Sequence, residues 1–288
     1  MVYEVRATYV KINFMSVNLI TSRIEESFFD NQDRTVVTWL GMAGALINAR
    51  GVVILIDPLI TMVEKDGQQF SEDGHRLKVP LPIQAHEVPR VDFVCYTHAD
   101  DDHLGRMTAK TLAIRTSCQF LAPPPVAKIL REIGIGEERI SIARDYQRVI
   151  LGLGEIIMTP ALHDYEQPVP WKRDDCCGFL VKSPDGTVWH PGDTRLIDEL
   201  LAIKDIDVLF FDVAAVEAHL GPEGSARLGA SSAAKVMLAY HYGTFDMPPG
   251  SYGNCDPEDA LPYLQGVPGR YLRLNPGELL WLPLGQGT

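Results

Sequence analysis

Cysteine is scarce: five residues in 288, an odd number with no C-x-x-C pair, two of them (Cys176 and Cys177) adjacent. That pattern excludes a disulfide framework or a cysteine zinc ribbon and predicts a reduced, cytoplasmic chain. Long hydrophobic runs are missing as well. The most apolar stretch, GALINARGVVILIDPLITMV, is interrupted by Arg50 and Asp57, so it does not predict a membrane span. The opening MVYEVRATYVKINF carries scattered charges and lacks the apolar centre of a signal peptide. Positive charge is also short. With 26 Lys and Arg against 38 Asp and Glu, the net charge is −12, and such a surface repels phosphate backbones and anionic headgroups. Neither nucleic acid nor membrane is expected as a partner; a small-molecule substrate is. No repeat, low-complexity tract or linker divides the chain, which predicts one domain over 1–288 with a short N-terminal extension, about residues 1–33.

What is present reads as alternating elements. Ile20, Ile24 and Phe28 stand four apart, predicting a short amphipathic helix over 16–30. RTVVTWLG, GALINARG and GVVILIDP then read as a β-meander, and RVDFVCYT as a buried strand. RMTAKTLAIRTS and PPVAKILREIGI read as helices on either side of a strand CQFLAP. Further on, EIIMTPALH, CGFLVKSPDGTVWHPGD, DVLFFDVA and KVMLAYHYG alternate with helical stretches such as RLIDELLAI, and SPDG marks a hairpin. Meanders followed by strand and helix alternation predict two sheets with helices outside them, an α/β sandwich. The C-terminal GELLWLPLG is apolar enough to close a sheet edge or to form a homo-oligomer interface.

Four of the eight histidines directly follow strand-like runs: His98, His163, His190 and His241. Asp57 ends VVILID, and Asp193 follows WHPG. Sites on α/β sheets gather at such strand ends, so these residues can converge. The stretch THADDDH places His98, Asp100, Asp102 and His103 so that alternate residues face two different ions. A solvated acidic turn is the competing reading of ADDDH, and the other strand-end histidines weigh against it. His75 and His86, in polar, proline-flanked surroundings, read as surface residues.

Taken together, TWLGMAGALI, VVILIDP, VDFVCYTHADDDHLG, TPALH, TVWHPGDTR and AYHYGTFD resemble, in order, the motifs of metallo-β-lactamase-fold hydrolases. The similarity is strongest to the branch containing L-ascorbate-6-phosphate lactonase. The resemblance implies a four-layer αββα sandwich and a dinuclear site holding two divalent ions, Mn, Zn or Fe. His98, Asp100 and His163 would hold one ion, and Asp102, His103 and His241 the other. Asp193 would stand between them, Asp102 and Asp193 would serve as catalytic carboxylates, and Asp57 would orient a ligand imidazole. The implied reaction is attack by a hydroxide from a shared water on a lactone, ester or amide. A phosphodiesterase and a non-catalytic binding descendant are the alternatives.

The chain departs from the motif set twice. Asp100 stands where the family usually has histidine, which hardens the site towards Mn²⁺, Fe²⁺ or Mg²⁺ relative to Zn²⁺. Asp101 competes for the same role if the loop shifts by one residue. Met42 replaces a polar residue expected to face the site. Lys172, Arg173 and Arg195 are candidate receivers of an anionic substrate group, with Tyr242 and His219 as further substrate contacts.

Overall fold

β-branched and aromatic runs bounded by glycine and proline form the strands of a computed structural model that describes residues 19–166 and 171–285. In chain order these are β1 (Thr35–Gly41), β2 (Gly44–Ala49), β3 (Val52–Ile56), β4 (Met62–Lys65), β5 (Gln68–Ser71), β6 (Phe93–Cys95), β7 (Gln119–Ala122) and β8 (Ile140–Ile142). They continue with β9 (Arg148–Leu151), β10 (Gly154–Pro160), β11 (Cys177–Ser183), β12 (Gly186–His190), β13 (Val208–Asp212), β14 (Val236–Tyr240), β15 (Arg270–Leu272) and β16 (Leu279–Leu282). The helices are α1 (Arg106–Arg115), α2 (Pro124–Glu132), α3 (Asp198–Leu201) and α4 (Gly221–Ser232).

One seven-stranded sheet runs β16-β1-β2-β3-β6-β7-β8 and faces another running β15-β14-β13-β12-β11-β10-β9, while β4 and β5 form a separate hairpin. Val37, Trp39 and Ile47 from the first sheet share a core with Phe179, Val188 and Phe210 from the second. On the outer face of the first sheet, Leu112 of α1 and Val126 and Leu130 of α2 cover Val36, Leu46 and Val94. On the outer face of the second, Gly229 lets α4 pack closely on Met237 and Leu209: a Cβ there would stand 2.5 Å from Met237 Sδ, which would have to move. This is the αββα sandwich. Both faces of each sheet are covered, so β1, β2, β13 and β14 are buried at every residue and read as continuous apolar runs. Each fully buried large side chain contributes about 1.5–3 kcal/mol.

Strand direction sets the position of everything that follows. β3 and β6 are parallel, and so are β12, β13 and β14. β10 shares their direction because β10 and β12 both pair antiparallel with β11. The C-terminal ends of these strands meet at one edge of the sandwich, where Cys177 N donates across the sheets to Thr97 O at 2.9 Å. The C-terminal β16 pairs with β1 and closes a sheet edge.

The expected helix over 16–30 is replaced by extended chain and a 3-10 turn at Glu26–Phe29; residues 16–18 lie outside the described part. The reason is competition for backbone donors. Ser22 N and Ile24 N are taken by Pro276 O and Pro82 O, while Ile24, Phe28 and Phe29 still reach the core and Ile20 stays exposed. All five cysteines are unpaired and buried. Among the described residues, no helix is long and apolar enough to cross a membrane.

The SPDG hairpin does more than turn the chain. Asp185 Oδ2 accepts from Thr35 N at 2.8 Å, Thr35 Oγ1 at 3.0 Å and Arg50 Nε at 2.8 Å, pinning the β11–β12 turn to β1 and β2 of the opposite sheet. Asp185→Ala leaves a buried amide and a guanidinium without acceptors and should lower stability by about 1–3 kcal/mol. Urea denaturation should show this as a lower midpoint with an unchanged slope.

Candidate metal centre

Five imidazoles converge where the strands end, and each has its Nδ1 held by the fold. His98 Nδ1 contacts Thr97 Oγ1 at 2.9 Å, and that hydroxyl in turn donates to Asp57 Oδ2 at 2.6 Å. His103 Nδ1 bonds the same Asp57 oxygen at 2.8 Å, and His163 Nδ1 bonds Ala218 O at 3.1 Å. His241 and His219 share Asp212, with Nδ1 contacts of 2.9 and 3.0 Å to its two oxygens. An acceptor at Nδ1 fixes the tautomer, and in the neutral ring the Nε2 lone pair is left pointing inward.

Those Nε2 atoms surround carboxylates. Asp193 Oδ2 lies 3.0 Å from His103 Nε2 and 3.4 Å from His219 Nε2, and its Oδ1 lies 3.6 Å from His241 Nε2. Asp100 Oδ2 is 3.3 Å from the Nε2 of both His98 and His163. Asp102 Oδ2 stands 3.7 Å from His103 Nε2. His98 Nε2, His103 Nε2, His241 Nε2 and Asp193 Oδ1 are buried without a hydrogen-bond partner. Buried acceptors left unmatched are costly, and four aimed at one volume fit a metal. Two donors, each about 2.0–2.1 Å from an ion at the tetrahedral angle, lie about 3.4 Å apart, which matches the spacing of these pairs.

The donor atoms group as His98, His163 and Asp193; as Asp102, His103 and His241; and as Asp193, Asp212, His219 and His241. Asp212 is already committed, since its Oδ1 also accepts from Ala214 N at 2.8 Å. It orients two rings. Backbone strain marks the same place: Asp57 and His241 hold φ of 44° and 66°, a region that non-glycine residues rarely occupy. Gly192 precedes Asp193 with φ 68°, and a Cβ there would stand 2.8 Å from Cys177 O, so only glycine lets the loop approach.

Electrostatics follow from the packing. Burial opposes charge on His103, but Asp193, Asp102 and Asp57 outweigh it and raise its pKa well above the ordinary value. Burial likewise opposes charge on His219, and Asp193 and Asp212 overcome it, lifting its pKa to about 9. At Asp100, burial is outweighed by His163 and His98, which hold the carboxyl well below the usual range. Two aromatic donors secure that carboxylate: Tyr165 OH to Oδ2 and Trp171 Nε1 to Oδ1, both at 3.0 Å. Asp101 instead points outward to Arg106, so the loop is not shifted by one residue.

A family model described as "Beta-lactamase superfamily domain" matches residues 53–242, from β3 through His241. The chain belongs to the beta-lactamase superfamily. A "UPF0173 metal-dependent hydrolase" of Pyrobaculum arsenaticum is 28% identical over 254 residues, covering 85% of this chain and 99% of its own. A metallo hydrolase of Ignicoccus hospitalis aligns with TM-score 0.66 at 21% identity, covering 87% of this chain and 99% of its own. An isothiocyanate hydrolase from Delia radicum gut bacteria aligns with TM-score 0.67 at 17% identity, covering 85% and 98%. Structural likeness at these identities shows the fold alone.

On this superfamily scaffold, several sequence expectations change. His190 ends a strand but stays in the core: its Nε2 bonds Ala43 O at 2.8 Å, Gly192 N donates to its Nδ1, and burial lowers its pKa to about 4. Tyr242 is packing, stacked on Trp39 at 4.6 Å with its hydroxyl on Leu274 O. Arg173 turns to Glu199 and Asp145, the Lys172 backbone caps a turn with Asp175, and neither lines the cavity. Arg195 is spent on Asp164 and Glu217. The side chain of Met42 is buried beside Leu59 and Phe245; its carbonyl accepts from His241 N at 3.2 Å and so helps to seat that ring. His86 is exposed, but His75 lines the cavity, bonded to Asp73 at 2.9 Å and to Tyr252 at 3.2 Å. Asp212 was missed, although it ends DVLFFD as Asp57 ends VVILID.

Asp212→Ala frees two rings at once while leaving both sheets intact. Metal affinity measured by calorimetry should weaken about 10- to 100-fold, with circular dichroism unchanged.

Proposed function

We propose that the chain is a metal-dependent hydrolase that cleaves a lactone, ester or amide bond in a small molecule. Metal-dependent hydrolase is also the printed description of its relative from Pyrobaculum arsenaticum. The observation that carries the reading is the ring of buried, partnerless Nε2 atoms around Asp193. His98, His163 and Asp100 would hold one divalent ion, Asp102, His103 and His241 the other, with Asp193 between them. Two such ions would lower the pKa of a water they hold to about 7 and would polarise the scissile oxygen. The carboxylate in place of an imidazole at position 100 hardens the first position towards Mn²⁺ or Fe²⁺.

The chain's own groups do the rest. Asp102 and Asp193 accept hydrogen bonds from the attacking water and align it, and Asp102 takes the proton that the leaving oxygen or nitrogen later receives. His219, braced on Asp212 and kept protonated by Asp193 and Asp212, donates from Nε2 to the substrate oxygen. The cavity, about 520 Å³, opens over Asp100, Asp102, His163, Asp193 and His219 and suits a small molecule. Five free buried thiols fit a reducing cytoplasm. The phosphodiesterase alternative gains no support, because no Lys or Arg lines the cavity among the described residues.

Protein purified without added metal should carry close to two equivalents of transition metal and hydrolyse members of a lactone, ester and amide panel. A chelator should abolish turnover, and metal should restore it. Fully loaded protein that hydrolyses none of these would overturn the reading.

A further inference from the structure

Away from the imidazole centre, the cavity wall is built from groups whose protons are already in use. Tyr165 gives its hydroxyl proton to Asp100 at 3.0 Å. Tyr252 OH lies 3.2 Å from His75 Nε2, and His75 Nδ1 lies 2.9 Å from an Asp73 carboxylate whose side chain is 1% exposed. That contact places the imidazole proton on Nδ1, so Nε2 accepts and the Tyr252 hydroxyl donates. His75 is locked in place, its ring stacked on Phe245 at 5.0 Å. The remaining polar lining outside the centre is carboxylate: Asp73, Asp101, whose Oδ1 pairs with Arg106, and Glu217, whose Oε1 pairs with Arg195. Among the described residues no lysine or arginine lines the cavity, and the two guanidiniums bonded to its rim carboxylates are spent there, Arg195 on Asp164 and Glu217 and Arg106 on Asp101.

A wall of this kind offers lone pairs and negative potential and has no side-chain donor to spare. An anionic group placed against this wall, out of reach of the ions at the centre, would lose its hydration and find no free cation in return, whereas a hydroxyl or ammonium would find acceptors. From this we infer that the cavity selects a hydroxyl- or amine-bearing substrate with no negative charge, and that it rejects the anionic substrates suggested by Lys172, Arg173 and Arg195 in the sequence. The inference rests on the hydrolase reading and gives it a substrate class.

The test is a matched series of aliphatic esters or lactones whose acyl chain ends in an ammonium, a hydroxyl or a carboxylate. Each is assayed with the metal-loaded protein, and each non-hydrolysable ether analogue is titrated calorimetrically. The ammonium and hydroxyl members should exceed the carboxylate member in kcat/KM by at least about tenfold at low salt, and the ammonium advantage should shrink as salt screens the wall. The ether analogues should bind in the same order. Glu217→Lys, a change at an exposed rim position, should narrow the ammonium-to-carboxylate ratio at least about fivefold. Hydrolysis with the carboxylate member equal or preferred would overturn the inference and leave the hydrolase reading standing. Binding in the expected order with no hydrolysis would support it and overturn the hydrolase reading instead.

Discussion

Every imidazole at the centre gives its Nδ1 to an oxygen of the fold, and from that constraint the rest follows. A neutral ring held at Nδ1 keeps its proton outward, so the atoms it turns to the centre are lone pairs set among carboxylate oxygens. Five carboxylates, Asp57, Asp100, Asp102, Asp193 and Asp212, contribute to this knot, and the ion pairs they make among the described residues are all with imidazoles. Leaving so much negative charge in a low-dielectric interior with only partial protonation to offset it is expensive. Divalent cations would resolve the conflict.

The two sheets exist, in this respect, to bring strand ends together. Asp57, His98, His163, Asp193, Asp212 and His241 lie on or just beyond the ends of β3, β6, β10, β12, β13 and β14. Rigid strands buried on both faces fix these positions more firmly than free loops could. Cross-sheet bonds, from His190 to Ala43 and from Cys177 to Thr97, hold the two halves in register at the site. Position 42 contributes to this through its backbone, which is why methionine is accommodated there.

Much of the site was legible because ligand-type residues sit beside the apolar runs that become strands, and a strand end is visible in sequence. The α/β sandwich and the sites of α1, α2 and α3 were legible for the same reason, whereas α4 and the short strands β4, β5, β8, β9 and β15 were not read. What escaped was non-local. The Asp73, His75 and Tyr252 chain spans two segments some 180 residues apart, and Asp212 looked like one more buried strand residue until two histidines closed on it. Lys172, Arg173 and Arg195 read as anion receivers because sequence shows charge but not its partners; in the fold each arginine faces an acid. Tyr242 was misplaced because the left-handed turn at His241 swings the next side chain into the core. The spacing of Ile20, Ile24 and Phe28 was real, but extended chain can bury two of the three as well as a helix can.

The central claim is a two-position centre divided by Asp193, and metal-edge anomalous diffraction from crystals of the protein as purified tests it most directly. The account predicts two peaks, one bounded by His98, Asp100 and His163 and the other by Asp102, His103 and His241, with Asp193 touching both. A single peak enclosed by Asp193, Asp212, His219 and His241, with the other imidazoles bare, would contradict it.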